Sequence, residues 1–405
     1  MSTTKREIPF GRPWITDEDR QAVAEVLNGY LLTHGPHCKA FESEFAEFMG
    51  PDANCVTVSS GMAALHLSYL HFGIGAGDEV IVPAMTHIAT VHAVEWVRAT
   101  PVFVDCDPAT GNVTPEAVAA AITPKTKAIS VVHFQGIPCD MPAIMKVAEE
   151  HGLRVIEDCA LAVGARIEVP STEYSVQSTE HRHVGLFGDA SIFSFYPVKH
   201  ITAGEGGMFA TRHVDVATTV AKLRAFGVDR RHDQRTVPGM YDVPTLGLNY
   251  RMSEMQAALG RTQLQKIDAI LSRRSENFNQ LRDGLAGLSQ VRVLDSTSAA
   301  RTNSHYALSM VLEGDLAAHR NDIIQQLKEV GVGTSVYYPQ PVPRMTYYQE
   351  KYGYDADRYP AATQVSDESI ALPVGPHLCG EDIEYIIDRV HEVVGRIANP
   401  SSNAA

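Results

Sequence analysis

Residues Gly185 to Thr211 read GLFGDASIFSFYPVKHITAGEGGMFAT. They hold one lysine, Lys199. An apolar, aromatic run (Ala190 to Tyr196) leads to it. A turn of small residues (Thr202 to Gly207) follows, and then a second apolar run, Met208-Phe209-Ala210. The pattern predicts strand, loop, strand, with the lysine held at a strand end and not on a solvated helix face. A partly desolvated lysine has a lowered pKa and serves as a nucleophilic amine or a covalent carrier. A surface lysine in a hairpin is the alternative that this stretch alone leaves open.

The rest of the chain bounds what such a lysine serves. There are 405 residues, enough for two or three domains' worth of core. The 44% hydrophobic and 20% charged content is that of an ordinary globular protein. With 34 Lys and Arg against 48 Asp and Glu the formal charge is −14, which argues against a nucleic-acid partner. A small anionic substrate stays open, because a local pocket can oppose the global charge. Six cysteines show no C-x-x-C spacing, so no metal site is expected and free thiols in a reducing compartment are. The start, MSTTKREIPFGRPW, lacks the apolar core of a signal peptide, and no apolar run is long enough to span a bilayer. The expectation is a cytoplasmic enzyme without a membrane partner.

Along the chain, helical patterns at Thr16–Leu27, Lys39–Met49, Thr114–Ile122 and Asp140–His151 alternate with β-like runs at Cys55–Val58, Glu79–Pro83, Pro101–Asp105, Ala128–His133 and Leu153–Asp158. That alternation predicts a mainly parallel sheet with right-handed crossovers. Val214–Phe226 reads as a helix. Arg166–His183 is polar and unpatterned, and reads as a surface excursion: a lid, a dimer contact or a harmless insertion. From about Lys266 the pattern changes to a long charged helix (Ile267–Ala286) and an α+β tail. The tail holds a strand at Tyr306–Leu312, a helix at Asn321–Glu329 capped by Asn321, a strand at Val332–Tyr338 and a last helix at Asp382–Ile397.

Two places invite a ligand. Ser59-Ser60-Gly61-Met62 joins a strand to a helix start, where free N–H groups and the helix dipole favour an anion; an ordinary turn is the alternative. The strand Leu153–Asp158 ends on two carboxylates, and ligand-binding side chains gather at the carboxyl ends of strands in open α/β sheets. Asp158 can hold a ring nitrogen protonated or cap the segment after it. Arg230, Arg231, His232 and Arg235 form a small basic cluster that can face an anionic nucleotide or simply solvent.

Ser194-Phe195-x-x-x-Lys199 followed by Gly204-Glu205-Gly206-Gly207 resembles the cofactor-lysine segment of the DegT/DnrJ/EryC1/StrS sugar aminotransferases. Glu157-Asp158-Cys159-Ala160 and Gly247-Leu248-Asn249-Tyr250-Arg251-Met252 resemble two further family segments, and the likeness runs from about Ile8 to Val394. It implies a type I PLP-dependent aminotransferase fold: a mixed, mainly parallel sheet in a large domain (1–260) and a smaller α+β C-terminal domain (261–405). It implies pyridoxal 5'-phosphate as cofactor, alternating with pyridoxamine 5'-phosphate, and transfer of an amino group from L-glutamate to a nucleotide-linked keto-sugar, first of all a 4-keto-6-deoxyhexose. The product would serve surface polysaccharide (lipopolysaccharide or O-antigen) or a glycosylated metabolite. By the same resemblance Lys199 carries the cofactor and Asp158 faces its ring nitrogen. Gly61, Met62 and Ser194 hold its phosphate, and His87 and Ala160 flank its ring. Asn249 reaches the neighbouring subunit's site in a homodimer with shared active sites. Tyr337, Arg230 and His305 are the candidate substrate contacts. The chain departs from the family at Met62, where Thr or Ser is usual, and at Leu161, where His or another polar residue is common. The alternatives are a sugar dehydratase of the same superfamily, in which histidine replaces the lysine, and a non-catalytic PLP-binding regulator.

Overall fold

The computed structural model describes residues 6–170, 179–229, 236–237, 239–296 and 298–398. The strands are β1 (Asn54–Val58), β2 (Glu79–Pro83), β3 (Thr100–Val104), β4 (Thr126–Val132), β5 (Arg154–Asp158), β6 (Arg166–Pro170), β7 (Thr179–His183), β8 (Ala190–Ser194), β9 (Gly207–Thr211), β10 (Val291–Val293), β11 (Arg301–Thr302), β12 (Leu308–Leu312) and β13 (Ser369–Leu372). Seven of them form the main sheet in the order β1-β9-β8-β5-β4-β2-β3. Every pair is parallel except those of β9, which runs antiparallel to both β1 and β8. The quoted stretch is therefore strand, loop, strand as read, with Lys199 in the β8–β9 connection.

The helices are α1 (Asp17–Asn28), α2 (Pro36–Met49), α3 (Gly61–His71), α4 (Ile88–Trp96), α5 (Pro115–Ala120), α6 (Met141–His151), α7 (Val214–Leu223), α8 (Glu254–Leu264), α9 (Ile267–Leu285), α10 (Arg320–Glu329), α11 (Thr346–Tyr352), α12 (Pro360–Glu368) and α13 (Gly380–Ala398). In α2, Phe41, Phe45 and Met49 recur at helical spacing and are buried. Phe45 meets Phe193 and Phe41 meets Phe195, with ring centres 5.0 and 5.1 Å apart. This contact seats α2 on the strand that leads to Lys199. The buried Asp19 of α1 accepts from Thr262 at 2.6 Å and Gln263 at 2.9 Å and pairs with Lys266, tying the first helix to α8.

A second sheet, β10-β12-β13, lies under α9, α10 and α13, whose apolar faces share one core with it. A third, β11-β6-β7, corrects the reading of 166–183. The segment is an antiparallel hairpin in which Ile167 pairs with Arg182 and Val169 with Glu180; residues 171–178 lie outside the described residues. Its signal is the alternation of Ile167 and Val169 with Arg166, Glu168 and Pro170, a period of two. Two readings of the tail are also corrected. Asn321 lies inside α10, which begins at Arg320 after a short 3-10 turn (Gly314–His319). Val332–Tyr338 is no strand. Its backbone is shared between Ile8, bridged to Val332, and Ala371, bridged to Ser335, so no continuous ladder forms.

Candidate active site

The carboxyl ends of β4, β5 and β8 and the start of α3 enclose a cavity of about 400 Å³. That size suits a small-molecule site. Ser60, Gly61 and Met62 line it from the start of α3, and His87 from the residue before α4. Asp158, Ala160 and Leu161 follow β5, Ser194 ends β8, and Lys199 comes from the β8–β9 loop. Residues far apart in sequence thus share one space because parallel strands all end on the same edge.

Lys199 is half-buried, and its N–H donates to the Tyr196 carbonyl at 3.0 Å. Desolvation pulls its pKa down from 10.5 to about 8, although the nearby Asp158 charge opposes the change. Its Nζ stands 5.4 Å from the centre of the Tyr306 ring.

The two carboxylates ending β5 part company because successive strand side chains face opposite ways. Glu157 is fully buried. It accepts the N–H groups of Gly185 (2.7 Å), Phe187 (2.9 Å) and Gly188 (2.7 Å) and faces His133 Nε2 at 3.1 Å. Burial pushes its pKa up, but the His133 hydrogen bond and charge and these N–H donors outweigh it, and the net displacement is downward. Glu157 therefore pins the turn that leads into β8. Asp158 faces the cavity. Its Oδ2 accepts from Thr90 at 2.8 Å and its Oδ1 from the Ala160 N–H at 3.0 Å, so both oxygens are oriented.

At the other end, Ser60 caps α3 by accepting from the Ala63 N–H at 3.1 Å. Gly61 and Met62 open the helix beyond that cap, and the first turn carries no acidic residue. The strand beside it is held close. A Cβ on Gly207 would stand 2.5 Å from the Ser60 carbonyl carbon, so only glycine permits this approach of β9 to the helix start. His87 both caps α4, its Nδ1 accepting from the Ala89 N–H at 3.2 Å, and meets Tyr338 with ring centres 5.8 Å apart.

Three expected residues stand elsewhere. Asn249 is exposed and does not line this cavity; its backbone bridges to Ala225. The Tyr337 hydroxyl bonds that of Tyr306 at 2.7 Å, one residue removed from the lining. The His305 ring packs on Phe278 with centres 4.3 Å apart, in contact with the second core and not with the cavity. Arg230 lies outside the described residues. The cavity in turn includes Tyr196, Glu205 and Tyr338, which the sequence did not single out as ligands. Thr90 and Tyr306 also act beside it unforeseen. Thr90 had one signal, its place a helical turn after Thr86 in the segment that follows β2; Tyr306 had none.

The cofactor implied by the resemblance fits this arrangement. An amine of depressed pKa, an oriented carboxylate and an open helix N-terminus without acids face one cavity, as an aldehyde, a ring nitrogen and a phosphate would require.

A profile described as the DegT/DnrJ/EryC1/StrS aminotransferase family matches residues 13–391. The spore coat polysaccharide biosynthesis protein SpsC of Bacillus subtilis (strain 168) is 36% identical over 394 residues, covering 96% of this chain and 97% of that protein. Among solved structures, DesV of S. venezuelae, in complex with a ketimine intermediate, is 33% identical with a TM-score of 0.84, covering 96% of this chain and 100% of its own. Spr1654 of Streptococcus pneumoniae, assigned as a sugar aminotransferase and solved in its PLP form, is 29% identical with a TM-score of 0.87, covering 97% and 100%.

Proposed function

The chain belongs to the DegT/DnrJ/EryC1/StrS aminotransferase family, and from that premise we propose that it moves an amino group from L-glutamate to a nucleotide-linked keto-sugar, first of all a 4-keto-6-deoxyhexose. It is a pyridoxal-phosphate-dependent sugar aminotransferase. The observation that carries the proposal is the meeting of Lys199 and Asp158 on one cavity with the start of α3.

The bound cofactor supplies an electron sink for the carbon that loses and regains a proton. Lys199 would hold it covalently, and once released the same amine takes a proton from the donor carbon and returns one on the acceptor half-reaction. A pKa near 8 lets that amine exist in both states around neutral pH. Asp158 would keep the ring nitrogen protonated, with Thr90 and the Ala160 N–H fixing its direction. The N–H groups at Gly61 and Met62, with Ser194, would hold the phosphate, and Ala160 and His87 would bracket the ring. Met62 brings no hydroxyl, so in this reading the backbone does more of the phosphate binding.

The dehydratase alternative is disfavoured by His200. Its ring is buried and its Nε2 faces the Ser304 carbonyl at 2.9 Å, outside the cavity lining. We keep 1–260 and 261–405 as the two units, a homodimer as the assembly and the cytoplasm as the compartment. A dimer is supported by large apolar residues left outside, Tyr30 at 90% and Leu246 at 91% exposure. Among the described residues no helix is long and apolar enough to cross a membrane.

Two measurements test the reading. Borohydride trapping and peptide mapping should place the cofactor label on residue 199, and label elsewhere or none would refute it. A panel of nucleotide keto-sugars with L-glutamate should yield an amino-sugar; a deoxygenated keto-sugar and ammonia would establish the dehydratase instead.

A further inference from the structure

Arg274 of α9 is 5% exposed. Its Nη1 donates to the carbonyls of His305 (3.3 Å) and Tyr306 (2.9 Å), and its guanidinium carbon stands 5.9 Å from the centre of the Tyr306 ring. Burial pulls its pKa down from 12.5 to about 10, and the opposing influences are two tyrosines, not a carboxylate. Among the described residues its Nε–H has no partner. A buried cation without a counter-charge is costly, and an unsatisfied donor adds to the cost.

Beside Arg274 lies a second, small cavity of about 10 Å³, enough for one water or one monatomic ion. Arg12, on the exposed N-terminal segment, and His377 also line it. His377 Nε2 faces the Pro9 carbonyl at 3.0 Å, so it donates there, and the buried Nδ1 is left without a partner. A Cβ on Gly375 would stand 2.7 Å from that Nδ1 and 3.9 Å from Arg274 Nη2, so the glycine keeps the space open.

We infer that this cavity, behind Tyr306 and apart from the cofactor cavity, binds a monatomic anion, namely chloride. A water there would satisfy the Nε–H and leave the charge uncompensated, whereas an anion does both. Carboxylates and phosphates exceed the space. Arg274 and Arg12 supply the positive field. Protonated His377 offers Nδ1 as a further donor, so the anion draws a proton to that ring. Burial pulls the His377 pKa down and Arg274 and Arg12 add to that, while the Pro9 carbonyl and Asp382 oppose it. Binding is accordingly tighter on the acid side of neutrality.

Holoenzyme crystals soaked in sodium bromide should show an anomalous peak at hydrogen-bond distance from Arg274 Nε. In solution the melting temperature should rise when potassium chloride replaces potassium gluconate at equal ionic strength, more at pH 6 than at pH 8. A non-anomalous water at the position overturns the site. A bromide peak without the chloride-specific rise means an adventitious ion only, and overturns it as well. Arg274→Met should lose both signals. Should that variant fail to fold, Arg12→Gln, on the exposed rim, should lower the bromide occupancy, and unchanged occupancy would count against a site built on two arginines.

Discussion

Lys199 is where burial and chemistry meet. Its folded pKa lies below its unfolded value, so the unfolded chain binds the extra proton between about pH 8 and 10.5. Below pH 8 the burial penalty is fully present, and it fades as the pH rises through that window. In the cofactor-free protein, Lys199→Met should therefore melt higher than wild type at pH 7, by about 2 kcal/mol, and the gap should close towards pH 10.5. A constant gap would show that the lysine is not desolvated. Pyridoxal phosphate should also rebind faster as the pH rises through 8, followed by its absorbance, because the neutral amine is the nucleophile. Asp158→Asn should keep the fold and the cofactor yet lose turnover by orders of magnitude in a steady-state assay, since an amide cannot hold a ring nitrogen protonated. The choice between Glu157 and Asp158 was half legible. The resemblance named Asp158, but the physical reason, the backbone donors of 185–188 that claim Glu157 on the other side of the strand, shows only in the fold.

Two joints between elements separate site from scaffold. The first is the start of α3 against β9. Gly207→Ala would push a Cβ into the Ser60 backbone, and the cost should be about 3 kcal/mol by chemical denaturation, with weaker cofactor retention because the phosphate end shifts. The second is the start of α8, where Ser253 accepts from the Gln256 N–H at 3.3 Å and Gln256 returns its side chain to the Ser253 N–H at 2.9 Å. Ser253→Ala should cost about 1 kcal/mol in the same measurement and leave the cofactor spectrum unchanged. Strands β1 to β4 were legible because each is a short apolar run followed by a helical pattern. The 166–183 hairpin was missed because its second strand, Thr179–His183, carries no apolar residue to mark a period of two, and the strand expected at 332–338 failed because β-propensity does not tell a chain which neighbour it will find.

For the molecule as a whole, the exposed Asn249 and the exposed apolar side chains of Tyr30 and Leu246 make the dimer the natural unit of function in the proposed reading. Lys199→Ala and Asn249→Ala, each impaired alone, should recover part of the activity when unfolded and refolded together, because one mixed site then holds both native residues. Mixed refolding without any recovery would argue for sites complete within one protomer.

Local patterns in the chain were enough for the alternation of strand and helix, the lysine between two strands, the acid at a strand end and the small-residue helix start. Each follows from side-chain type and spacing over fewer than about thirty residues, the span of one βαβ unit. Packing settled the rest. It turned Glu157 inward and Asp158 outward, and it moved His305 onto Phe278. It brought Thr90 onto Asp158, set Tyr338 and Tyr306 beside a lysine more than a hundred positions away, and buried Arg274 without a counter-charge. Those outcomes depend on which surfaces meet across the fold, and nothing in the neighbourhood of a residue along the chain encodes who stands opposite it.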